Sequence, residues 1–154
     1  MPMFGRASRC LPLLVILTLA GCQIPTTPPT IVTSNDVTDA TVRQMVASLA
    51  ARFTRARQAG GMVGVSADIQ SCYQQAALPR QVRDCLVLDA VARRIDMEAA
   101  RTIPGGELPY FSQQAVTRRW AQHNRAANFP DIPTQLSYMR NGSDAVILEM
   151  AKRT

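Results

Sequence analysis

Residues 80–100 read Arg-Gln-Val-Arg-Asp-Cys-Leu-Val-Leu-Asp-Ala-Val-Ala-Arg-Arg-Ile-Asp-Met-Glu-Ala-Ala, and this stretch decides the fold class. Val82, Cys85, Leu88, Ala92, Ile95 and Ala99 recur at intervals of three and four, the period of one helix face. Leu86 and Val87 lie beside that stripe and widen the apolar surface, so the pattern predicts the central helix of a bundle. Asp89 and Arg93 stand four apart in the order that favours an ion pair along the helix.

Upstream, Val42, Met45, Val46, Leu49, Phe53 and Ala56 repeat the helical period. They predict a helix from about Val37, capped by Asp36 or Thr38 and ended by Gly60-Gly61. A shorter helix is expected from Ser66, with Ile69, Cys72, Tyr73 and Ala76 on one face, before Pro79. Downstream, residues 103–109 are a loop by composition. Phe111, Ala115, Val116 and Trp120 give the apolar side of a helix running to Arg125. A second loop, 128–133, leads to a short helix through Met139 that should stop at Asn141-Gly142. The final stretch, 144–152, suits a helix capped by Ser143 or Asp144, yet Ala145 to Leu148 would also suit a strand. No second strand offers itself as a partner, which favours helix. The expectation is an all-α domain of five or six helices over 37–154.

The chain has 154 residues, enough for one domain. Hydrophobic residues make up 47% and charged residues 18%, a globular balance, while aromatics at 5% leave the core to aliphatic side chains. A single His excludes a multi-histidine metal centre, and no cofactor motif is present. Gly60-Gly61-Met62-Val63-Gly64 lacks the Lys and hydroxyl of a phosphate loop.

The N-terminus has a different character. Arg6 and Arg9 precede an apolar run, Leu11 to Leu19, too short for a permanent span and flanked as an export signal is. It closes on Leu19-Ala20-Gly21-Cys22. That tetrapeptide resembles the lipobox of bacterial lipoproteins. The resemblance implies cleavage after Gly21 and lipidation of Cys22 by a diacylglyceryl group, followed by a further acyl chain such as palmitate. Gln23 stands where an Asp would signal inner-membrane retention, so the resemblance implies the outer membrane, facing the periplasm. Residues 1–21 are then a signal peptide and 22–36 a lipidated tether, its Pro and Thr content disfavouring helix. Two or three acyl chains hold a protein to a bilayer without a spanning helix.

Removing residues 1–21 takes two of the 17 basic residues and none of the 11 acidic ones, so net charge falls from +6 to +4. No basic run exceeds two residues, which speaks against nucleic-acid binding. Cys72 and Cys85 are the thiols left once Cys10 departs and Cys22 is lipidated. In an oxidising compartment they are expected to form a disulfide.

Two constellations invite a catalytic reading. His123 with Asp131 and a Ser invites a triad, but no nucleophile elbow surrounds any Ser. Asp84, Asp89, Asp96 and Glu98 share one helix, and paired carboxylates cleave glycosides. They alternate with Arg83, Arg93 and Arg94 as on a solvated face. Leu108, Tyr110, Phe111, Trp120, Phe129 and Tyr138 gather in the C-terminal half, as core or as a partner surface. The function expected is therefore a non-enzymatic envelope lipoprotein that binds a protein partner, in a secretion or conjugation apparatus for example. In size, anchor and helix content it is similar to pilotins, with no pilotin motif matched. The alternative is a small peptidoglycan hydrolase using the helix carboxylates.

Overall fold

Pro79 fits the first turn of a helix because its missing N–H has no partner to lose, and it opens the central helix α2 (Pro79–Thr102). The Gln81 side chain accepts from the Ala77 and Leu78 amides at 2.9 and 3.0 Å and closes that end. Leu86, Val87, Leu88, Val91 and Ala92 have no exposure, so α2 is buried on several sides, as its widened stripe predicted. The computed structural model describes residues 34–103 and 106–153. Cys22, the expected signal peptide over 1–21 and residues 22–33 of the expected tether lie outside the described residues.

Around α2 pack α1 (Ser34–Gln75), α3 (Gln113–Ala127) and α4 (Ile132–Ala151), with a 3-10 turn at Pro109–Phe111. Among the described residues the fold is all-α, with four α-helices where five or six were expected. Helix α1 begins at Ser34, within the stretch 22–36 whose composition disfavoured helix.

Helix α1 is folded in two at Gly60-Gly61. Gly61 has φ +61° and ψ −151°, a conformation that glycine adopts at little cost. Arg52 grips Asp68 across the bend, with Nε to Oδ2 at 2.6 Å and Nη2 to Oδ1 at 3.0 Å. Sixteen residues of straight helix would separate these two by about 24 Å. The two arms therefore run antiparallel, and Gly64 lets them touch, since a Cβ there would meet the Ala56 carbonyl oxygen at 2.6 Å. The expected stop at Gly60-Gly61 is thus a hairpin bend, and the return arm starts at once rather than at Ser66.

The return arm carries Cys72 to Cys85 of α2, and the two form the disulfide, with Cα atoms 5.7 Å apart. Arg83 of α2 reaches the end of α3, donating to the Ala127 and Asn128 carbonyls at 2.7 and 2.9 Å. Asn128, with φ +54°, ends α3 in the left-handed conformation that Asn tolerates. The Asp131 carboxylate then accepts from the Thr134 amide at 2.6 Å and caps α4.

Helix α4 runs straight through Asn141-Gly142, correcting the expected break. Met139, Ser143 and Val146 are buried at helical spacing while Leu148 is 64% exposed, so the ambiguous last element is helix. Gly142 serves packing. A Cβ there would meet Val87 of α2 at 2.8 Å, so the missing side chain lets α4 approach α2.

Two outcomes are expected in equilibrium unfolding. Reducing the disulfide should cost about 3 kcal/mol, since it frees a short loop in the unfolded chain. An undiminished stability would show that the return arm is held by packing alone. Gly142→Ala should lower stability by about 1 kcal/mol although alanine is the better helix former, because crowding a stiff, buried Val87 outweighs the propensity gain. A raised melting temperature would show that α2 and α4 yield.

Candidate functional site

Asp89 sits on α2 with no exposure. Arg119 of α3 holds it with two bonds, Nε to Oδ2 at 2.9 Å and Nη2 to Oδ1 at 2.7 Å. Trp120 Nε1 and the Tyr73 hydroxyl also donate to Oδ2, at 3.1 and 3.3 Å. Arg119 in turn donates to the Tyr110 carbonyl at 2.9 Å and lies 3.8 Å over the Tyr110 ring. One carboxylate therefore gathers the return arm of α1, the 3-10 turn and α3 onto α2.

Burial, with the nearby Asp89 charge acting the same way, pushes the Tyr73 hydroxyl far above its ordinary value, which keeps it a donor. Burial also pushes Tyr110 up to about 12, with Arg119 opposing the shift. His123 stacks on Tyr73, ring centres 3.9 Å apart and 7° from parallel. Burial holds its imidazole below the ordinary value against the pull of Asp89.

The Asp89–Arg93 ion pair expected from spacing does not form. Arg93 instead bonds Glu107 and the Phe111 carbonyl, with Gln113 Oε1 at 3.4 Å. The carboxylates considered for hydrolysis are likewise scattered. Asp89 is engaged as above; Asp96 is buried and accepts from the Leu108 amide at 3.2 Å; Glu98 is exposed and pairs with Arg101. Burial raises Asp84, and its Oδ1 is buried without a hydrogen-bond partner. Asp131 is occupied as the α4 cap, and His123 is a stacked residue rather than a plain surface one. Among the described residues no three of His, Cys, Asp and Glu come together as metal ligands.

Fixing α3 by its contact with α2 leaves a groove between α3 and α4. It holds about 490 Å³. Ala90, Val116 and Met139 are buried beneath it, with Trp120 half-buried alongside. Met97 of α2 and Leu136 of α4 line it while 40% and 45% exposed. Arg94 with Asp144, and the exposed Arg140, provide its charge. Apolar side chains this exposed along a concave wall are what partner surfaces offer. A larger concavity, about 680 Å³, lies between α1 and the end of α4, edged by Arg55, Arg57 and Gln58. The aromatics divide between roles: Phe111 is fully buried, whereas Trp120 joins the Asp89 network to the groove.

No family model, curated protein or solved structure matches the chain. The groove and the Asp89 network are therefore read from their own chemistry.

Asp89→Asn should cost about 3–5 kcal/mol, because it strands a largely buried guanidinium. Chemical denaturation checks this, and a loss under 1 kcal/mol would remove the pair from its structural role. A second expectation concerns pH. Because the folded His123 value is lowered, the unfolded chain takes up the proton first as pH falls through about 6.5. Stability present above that pH should be lost on acidification. The drop in melting temperature from pH 7.5 to 5.5 should therefore be smaller in His123→Phe than in the parent. Equal drops would show that His123 is not coupled to folding.

Proposed function

We propose that this chain is a non-enzymatic lipoprotein of the bacterial envelope, held at the outer membrane by lipid on Cys22, whose helical domain binds a protein partner. The groove between α3 and α4 carries this reading. Its buried floor and exposed Met97 and Leu136 suit the apolar face of an amphipathic helix, recognised through anchors at helical spacing. Arg140 at its edge would favour an acidic residue beside those anchors. Such a role belongs to assembly of envelope machinery, a secretion or conjugation apparatus among the candidates. The Leu19-Ala20-Gly21-Cys22 lipobox supports the anchor. No helix among the described residues is long and apolar enough to cross a membrane. The hydrolase alternative gains no observation, since the acids it needs are dispersed.

Two experiments test the reading. A photo-crosslinking residue at position 97 or 136, expressed in a bacterium that makes the protein, should capture the same envelope protein from both sites. Position 148, more exposed but outside the groove, should not. Leu136→Glu should abolish capture from position 97 with the melting temperature unaltered; capture undiminished by that change would place the partner elsewhere. For the anchor, Cys22→Ala should leave the chain uncleaved or release it to a soluble fraction. Unchanged mobility and outer-membrane residence would contradict lipidation.

A further inference from the structure

Loops at the ends of a bundle are ordinarily polar, because they meet water. Where the chain turns into α2 and α4, exposed apolar side chains gather in the loop and the first helical turn. Ala77 and Leu78 with Pro79, which opens α2, and Pro130 with Ile132 and Pro133, which open α4, are all exposed, Leu78 at 60% and Ile132 at 51%. Both loops lie at the same end of the bundle. Arg83, one turn into α2, bonds the Ala127 and Asn128 carbonyls and stacks over Phe129. Phe129 contacts Tyr138, whose hydroxyl meets the Met45 sulfur at 3.5 Å, and so links this end to the early turns of α1.

The chain enters the domain at that end. Residues 23–33 separate Cys22 from α1, a span of at most about 40 Å even fully extended. A lipid on Cys22 thus keeps the apolar loop tips within reach of the bilayer at millimolar effective concentration, where a weak surface contact becomes populated. Charge at this end is mixed. Among the described residues Arg43, Arg80 and Arg125 are exposed here, and against them stands Asp131, with its carboxylate bonded to the Thr134 amide.

We propose that the end of the bundle bearing Leu78 and Ile132 is a membrane-contact surface that seats these two side chains among lipid headgroups. The proposal rests on the Cys22 anchor. An aliphatic side chain at the headgroup boundary gains the burial that water denies it, as on interfacial helices. Leu148 makes the comparison sharp. It is as exposed as Leu78, but lies about 24 Å along α4 from Ile132.

Tryptophan placed at 78, 132 or 148 reads depth against vesicles of phosphatidylethanolamine and phosphatidylglycerol, with and without acyl-brominated lipid. Two forms are tested: the naturally lipidated chain, and a Cys22→Ser chain attached to nickel-chelating lipid by an N-terminal hexahistidine. In the tagged form, emission added by Leu78→Trp and Ile132→Trp should fall at least twofold on brominated vesicles. That added by Leu148→Trp should be the same with and without brominated lipid. Equal quenching at 78 and 148, or none at 78 and 132 while the chain remains on the vesicles, overturns the proposal. If the tagged form shows the pattern but the natural form does not float with vesicles, the anchor reading fails and the surface stands.

Discussion

A carboxylate taken wholly out of water demands donors, and in this bundle Asp89 makes that demand from the middle of the most buried helix. Its four donor contacts come from three side chains, Tyr73, Arg119 and Trp120, on two different helices. Apolar packing alone would let α3 slide or rotate against α2, because hydrophobic attraction has no direction. The two-pronged guanidinium contact has direction, and it fixes where along α2 the third helix sits. The same arginine covers Tyr110 and bonds its carbonyl, so the segment joining α2 to α3 is set by the same contact.

The groove follows from this placement. Helices α3 and α4 each rest on α2, α4 closely because Gly142 admits Val87. With α3 held by Asp89, a strip of apolar surface stays uncovered between them. Trp120 belongs to both features: its indole nitrogen satisfies Asp89 while its ring lines the groove. A partner that pressed on Trp120 would therefore act on the interaction that holds α3. The disulfide works at a different junction. It joins the return arm of α1 to the start of α2, next to Tyr73, and so steadies one of the donors.

What was legible in the sequence is what depends on local period. Residues 80–100 announced a central helix because their apolar positions exceed one face. Cys72 and Cys85 could be paired because both fall on apolar faces of neighbouring helices. What was hidden depends on partners distant in sequence. Asp89 and Arg93 have ideal spacing for each other, yet α2 is buried on several sides and each is claimed by a different neighbour. Met62, Val63 and Gly64 give poor local reason for a helix to resume directly after Gly61. Burial of Val65 and Ile69 against the first arm overrides that. Gly142 looked like a stop and is a packing residue, a distinction that only the position of Val87 can make. The groove itself has no sequence signature, since its lining comes from three helices. Ile132 fell in the expected loop 128–133 and Leu78 just before Pro79, but their common end emerges only from the antiparallel course of the chain.

The claim that one buried ion pair sets α3, and through it the groove, is tested most directly by a double-mutant cycle on Asp89→Asn and Arg119→Gln, read by chemical denaturation. The account predicts a coupling energy of about 2 kcal/mol or more, the double variant being far less damaged than the sum of the singles. Single effects that add to within about 0.5 kcal/mol would mean that the two side chains act independently, and the placement of α3 would then need another cause.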